Sequence, residues 1–184
     1  MGKMTALLVI VVLVAGAIGY YVRLNNRIVG LEETVGNAWS DIDVQLRMRF
    51  DLVDNLVETV KWYAKHEKGT LKEVIEARNR FTTATDVKWK AEADNMLTTS
   101  LKSIFALSES YPELIANQNF LSLQSELTDI ENKIASARRY FNAATREYNP
   151  LIKQFPANVL FSKQPKDYFE GLEEAKKAPK VKFD

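Results

Sequence analysis

The chain has 184 residues, with 25 lysines and arginines against 24 aspartates and glutamates, one histidine and no cysteine. Without cysteine there is no disulfide framework, thiolate nucleophile or cysteine zinc site. Without a basic excess there is no electrostatic face for nucleic acid, so no nucleic-acid partner is expected. Residues 1–22 carry a single charge, Lys3, and the 162 residues beyond them hold 24 basic and 24 acidic side chains. That is enough chain for one well-cored domain.

Residues 4–22, MTALLVIVVLVAGAIGYYV, are uncharged and bounded by Lys3 and Arg23. As a helix this stretch is about 29 Å long, close to the ~30 Å hydrocarbon core of a bilayer. Tyr20 and Tyr21 fall where interfacial aromatics sit, rings in the boundary layer and hydroxyls in water. The reading is a retained membrane anchor whose partner is the lipid bilayer. The rival, a cleaved secretory signal, draws on Lys3 and the small-residue string Ala15-Gly16-Ala17. The apolar run nevertheless continues to Val22, beyond the usual length of a signal core. A buried core helix would need partners on every side. Lys3 on one flank and Arg23 with Arg27 on the other leave the orientation nearly balanced.

Beyond the anchor, residues 23–30 read as a short stalk or hinge; a helix continuous with the anchor is the alternative, since only Asn25, Asn26, Gly30 and Gly36 weaken it and Ile28 already falls on the helical stripe that follows. A first bundle helix is predicted over 31–66, because Leu31, Val35, Ala38, Ile42, Leu46, Val53, Leu56, Val60 and Tyr63 recur at steps of three and four. Gly69 suits its C-terminal end, and Thr70 with Glu73 forms a capping box for the next helix. That second helix, 71–83, turns Leu71, Val74, Ile75 and Phe81 inward. Asp86 is the expected N-cap of a third helix reaching Glu109, with Ala93, Leu97, Leu101, Ile104, Phe105 and Leu107 inward. Ser110-Tyr111-Pro112 interrupts the chain, and Asn117 and Asn119 restart it. The last helix carries the stripe Phe120, Leu123, Leu127, Ile130, Ile134, Ala137, Phe141, Ala144 and Tyr148. It is expected to end at Asn149, because Pro150 lacks an N–H and clashes with the preceding turn.

These elements predict an all-α fold: a transmembrane helix, then an antiparallel up-down four-helix bundle over 31–155 with a long first helix. An extended coiled-coil rod is the alternative, but the breaks at Gly69, Asp86 and Pro112 invite reversal. Residues 156–184 form a tail, its early part over the bundle and its last ten residues frayed. The first helix has one gap in its stripe, at Arg49. Antiparallel first and last helices place Glu131 opposite it, with Glu126 as the alternative. The pair is worth about 3–5 kcal/mol on loss of one partner if buried and ~0–1 if Arg49 snorkels to water.

A di-metal bundle site needs Glu-x-x-His pairs. The sole histidine, His66, has Tyr63 three positions before it and reads as a surface residue near a helix end. There is no nucleophile motif around that histidine and no glycine-rich phosphate loop. No catalytic, cofactor-binding or metal residue is assigned, no cofactor is expected, and the chain is read as a non-enzyme. Trp39, Trp62 and Trp89 read as core or interface residues. Gly16, Ala17 and Gly19 offer a close-packing surface within the span.

Three strings, LRMRFDLVDNLV, YPELIANQNFLSLQ and ARRYFNAATREYN, followed by FPAN, resemble the LemA family of bacterial membrane-associated proteins over essentially the whole chain. The resemblance marks Arg138 and Asn142 as family-motif positions. It implies a short N-terminal segment, one membrane helix and an antiparallel helical bundle usually described as cytosolic, with no established enzymatic activity. Membrane-linked processes, including organelle formation in magnetic bacteria, are associated with members, and some occur beside membrane metalloproteases. Two departures stand out: Phe141 lies where Tyr-Asn is usual, and Pro150 enters the string YNxxIxxFP, which argues against a helix continuing to Phe155.

The function expected is a single-pass, membrane-tethered, non-catalytic scaffold in the bacterial cell membrane, its bundle cytoplasmic, forming a homo-oligomer or binding a membrane-protein partner. A membrane-shaping oligomeric coat and a membrane-bound metal protein or enzyme are the competing classes. The tail aromatics Phe161, Tyr168 and Phe169 are expected either to dock on a neighbour or to cover their own bundle.

Overall fold

The computed structural model describes residues 2–65 and 67–170, in which every regular element is helical. Helix α1, Gly2–Tyr63, is 62 residues long and unbroken. Up to Val22 its large apolar side chains are exposed on all sides, and this part is long and apolar enough to cross a membrane. From Ile28 onward it buries one stripe, Ile28, Val35, Ala38, Ile42, Leu46, Val53, Leu56 and Val60.

The stalk or hinge expected at 23–30 is therefore absent: those residues are ordinary helix. Ile28 is fully buried in the cluster that holds Tyr148, Ile152 and Ala157. An asparagine or glycine in a helix costs up to about 1 kcal/mol, whereas burying an isoleucine contributes about 1.5–3. Packing overrides local propensity here.

The next corrections lie at the first reversal. Helix α1 ends at Tyr63 rather than at 66, and α2, Lys68–Thr83, begins before the expected capping box. Gly69 and Thr70 sit inside its first turn, and Glu67 at the N-cap gives no side-chain cap. The reversal is closed by backbone instead, Ala64 N–H to Val60 C=O at 2.8 Å and Glu67 N–H to Ala64 C=O at 3.1 Å. Buried Ala64 pins it to the core. His66 lies outside the described residues. On α2, Ile75 faces solvent and Ala77 takes the buried place.

Helix α3, Val87–Ser108, starts where expected, with the Asp86 carboxylate accepting from Trp89 N–H at 2.8 Å. A single turn, α4 (Pro112–Ile115), buries Leu114. Helix α5, Gln118–Lys153, opens with Asn117 accepting from Phe120 N–H at 3.0 Å. It runs past Pro150, so the expected stop at Asn149 is wrong by four residues. Pro150 and Arg146 are both exposed, so the proline ring and the turn it disturbs lie on the outer side of the helix. Continuing the helix also buries Ile152. A last turn, α6 (Ala157–Leu160), precedes a non-helical segment over 161–170. The frayed end expected beyond it lies outside the described residues.

Side-chain pairs give the relative course of the helices. Phe50 and Asp54 of α1 meet Phe81 and Arg78 of α2, rings 4.1 Å apart and ions 2.7 Å apart. Asp43 and Arg49 meet Lys90 and Asp94 of α3. Trp39, Arg49 and Tyr63 meet Phe141, Glu131 and Asn117 at the other end of the chain. The apolar interior has two parts. Residues 28–46 of α1 pack chiefly with α5 and the tail, with Ala91 at the start of α3 joining them, while residues 50–60 of α1 and Ala64 just beyond it pack with α2, α3, α4 and the start of α5.

Because 23–30 is packed helix, Ile28→Ala is expected to destabilise the domain by about 2–5 kcal/mol. A denaturant titration of the detergent-solubilised chain checks this, and an unchanged midpoint would restore the hinge.

Candidate functional site

Two polar constellations stand out from the apolar packing. The first lies where the two halves of the interior meet, between Leu46 and Phe50. Arg49 is only 3% exposed. Its Nη1 donates to Asp94 Oδ1 at 2.5 Å and lies 2.7 Å from Glu131 Oε2, and its Nη2 donates to Thr98 Oγ1 at 3.0 Å. The structure thus brings Arg49 and Glu131 together and adds a buried acid from α3. Glu126 instead lines a separate groove with Trp62 and Tyr63. Arg138 borders the same cavity as the Arg49 cluster, a space of about 390 Å³.

Burial pushes the Asp94 carboxyl above its ordinary range; the Arg49 charge opposes this and the Glu131 charge adds to it. An acid with a raised folded pKa loses stability as the pH climbs from its ordinary 3.8 through the folded value, since the ionised form is the disfavoured one. Two carboxylates share one cation here, while Arg49 Nε is buried with no hydrogen-bond partner among the described residues.

The second constellation is a backbone clamp. Asn142 Nδ2 donates to the Phe169 carbonyl at 3.0 Å, and its Oδ1 accepts from the Phe169 N–H at 2.9 Å. Asn149 does the same to Lys166, at 2.9 and 2.8 Å. Seven residues of helix rise about 10.5 Å, and three residues of extended chain cover about 10 Å, so the two clamps fit an extended segment. Tyr148 Oη donates to the Gln164 carbonyl at 3.4 Å. Side chains add an ionic contact: Glu32 of α1 takes Lys163 at 2.6 Å and Lys166 at 3.4 Å. Phe169 is buried against Trp39, ring centroids 6.2 Å apart.

The Lys163 hydrogen bond, opposed by burial, holds the Glu32 carboxyl below its ordinary range. Its contribution is therefore present above the ordinary 4.5 and is lost as the pH falls through the lower folded value.

Of the other residues singled out in the sequence, Tyr20 and Arg23 line a small cleft with Phe155 and Pro156. Tyr21 stacks on Phe161 at 5.1 Å. Lys3 lies in the exposed first turn of α1, and Gly16 and Gly19 have open space around them. Phe161 and Phe169 are both engaged by their own chain, whereas Tyr168 is half-exposed. Trp62 and Trp89 are exposed, so neither is a core residue; Trp39 is partly buried. Sequence reasoning missed Asp94, although a charge three residues before Leu97 on the inward stripe was a usable signal. It also missed Asn149, whose seven-residue spacing from Asn142 puts both on one face.

Residues 38–183 match the LemA family, and that range contains both constellations apart from Glu32. The chain belongs to the LemA family. Over 68 residues, 37% of this LemA chain, it is 32% identical to the magnetosome protein MamQ of Magnetospirillum gryphiswaldense. The match covers 25% of MamQ, so the chain spans about a quarter of that relative's length. The family-motif residues Arg138 and Asn142 take different places in this LemA structure, one beside the ion cluster and one on the tail.

Arg49→Ala leaves two carboxylates facing each other and is expected to destabilise the fold by about 3–5 kcal/mol. Asp94→Asn keeps the acceptor for Arg49 and drops the buried charge. It is expected to lose less stability than Asp94→Ala and to flatten the fall in stability with rising pH. Denaturant midpoints across acid to neutral pH report both effects, and an Arg49→Ala/Glu131→Ala cycle should be non-additive.

The tail makes its own prediction. Replacing Asn142 or Asn149 with alanine removes a clamp worth on the order of 1 kcal/mol and is expected to speed tryptic cleavage after Lys163 and Lys166 about five-fold. Glu32→Gln, which mimics acid at neutral pH, should speed the same cleavages, as timed mass spectrometry will show.

Proposed function

We propose that this LemA protein is a non-catalytic, single-pass helical scaffold that holds a protein-binding domain at the bacterial cell membrane. The observation that carries the reading is the unbroken helix, bare and apolar up to Val22 and then part of a packed interior from Ile28. A soluble domain gains nothing from projecting such a helix, whereas a bilayer satisfies its apolar surface and leaves its backbone bonds intact. The domain is proposed to be an up-down four-helix bundle of α1, α2, α3 and α5 with α1 and α5 antiparallel. The pairs from Trp39–Phe141 through Arg49–Glu131 to Tyr63–Asn117 support this. The cytoplasm is its proposed side, as the family resemblance implies, since Lys3 before the span and Arg23 with Arg27 after it are nearly balanced.

The proposed action is association, between copies or with a membrane-protein partner. Near-neutral charge lets like surfaces approach, and a tether to one plane raises effective concentration. The likeness to a magnetosome protein favours one second reading, a membrane-shaping coat.

Cross-linking in native membranes is expected to capture oligomers or a stable complex that disappears when residues 1–22 are removed. A strictly monomeric protein with no captured partner would end the scaffold reading. Stoichiometric metal or turnover of a substrate would replace it with an enzyme, and lipid-dependent arrays in electron micrographs would favour the coat.

A further inference from the structure

We propose that the turn at the end of α5 and through α6, residues 153–161, is a second membrane contact. In it Phe155, Val159 and Leu160 enter the boundary between lipid headgroups and acyl chains, beside the point where α1 leaves the bilayer. The inference rests on reading α1 as a membrane anchor and adds a lipid-binding surface to the domain itself.

Three observations carry it. Phe155, Val159 and Leu160 are 82%, 73% and 46% exposed, grouped within six residues, while Ala157 and Ile152 beside them are buried. Buried Ala157 pins the turn to the domain, so its apolar neighbours project outward by construction and not from disorder. In water such a group is a standing loss; removed from water it is a gain.

Position is the second observation. Gln154, Phe155 and Pro156 share a cleft with Tyr20, Arg23, Leu24 and Arg27, and Phe161 stacks on Tyr21 at 5.1 Å. Tyr20 and Tyr21 close the span, at the depth where aromatic rings favour the interface. The turn therefore stands at headgroup level whenever the span is inserted.

The third is rigidity and charge. Because α1 does not break between Val22 and Ile28, the depth of the turn relative to the span is set by the fold. Exposed Arg23, Arg27 and Lys153 ring the same end, which suits an anionic lipid surface. An apolar cluster flanked by basic side chains matches the chemistry of an interfacial, non-spanning contact. The occupant we assign is the bilayer surface and not a second copy, because this patch is continuous with the span.

The chain has no cysteine, so single cysteines can be introduced into the full-length protein. Phe155→Cys, Val159→Cys, Val11→Cys in the span and Trp62→Cys at the far end of α1 are each labelled with an environment-sensitive fluorophore. The proteins are reconstituted into vesicles of phosphatidylcholine and phosphatidylglycerol, with unchanged circular dichroism as the folding control. Positions 155 and 159 are expected to show blue-shifted emission and to lose most of it to a lipid spin-labelled near the headgroup. Position 11 should respond to a mid-chain spin label and position 62 to neither. Quenching at 11 with none at 155 and 159 overturns the inference and leaves the anchor standing. No quenching at 11 overturns both. Probes at 155 and 159 shielded from aqueous iodide yet untouched by spin-labelled lipid mean that protein covers the turn, which also overturns it.

Discussion

A guanidinium taken out of water must be met by carboxylates, and Arg49 is met by two that come from different helices. Asp94 on α3 and Glu131 on α5 reach the same nitrogen of α1. Apolar stripes repeating at steps of three and four tolerate slippage by a turn, because one leucine replaces another at small cost. A desolvated cation between two acids does not, since a slipped register leaves buried charge without a partner. The cluster sits where the two halves of the interior meet, and so aligns three helices at the point where the packing changes partners.

From that point toward the N-terminal apolar segment, the domain is organised around α1 and α5 and is closed by the tail. Its two asparagine clamps read backbone and not side chains, which holds the segment without demanding particular residues at each position. Identity enters through Glu32, which takes two lysines, and through the aromatic surface of Trp39 that covers Phe169. The tail thereby links the last helix to the part of α1 nearest the apolar segment.

The continuity of α1 gives these contacts a functional consequence. A flexible stalk would let the domain tumble relative to the apolar segment. An unbroken helix holds the same end of the domain against the N-terminal apolar segment, with Tyr20, Arg23 and Arg27 lining one cleft there. Under the tethered scaffold proposed above, orientation of this kind decides which surfaces neighbouring molecules meet.

The sequence by itself determined the features that depend on local chemistry. An uncharged stretch of spanning length, helical periodicity, the Asp86 cap, the restart near Asn117 and the interruption before Pro112 each follow from a few adjacent residues. Arg49 was legible as a polar member of an apolar stripe, and simple opposition of first and last helices pointed to Glu131. Tertiary structure alone decided the rest, because there the energy of distant packing exceeded a local preference. Ile28 burial carries the helix through Asn25, Asn26 and Gly30, and Ile152 burial carries it past Pro150. Asp94 joined the cluster, and Asn142 and Asn149 found the tail, through contacts between residues far apart in the chain. No local pattern encodes which distant backbone a side-chain amide will meet; that follows only once the helices have packed.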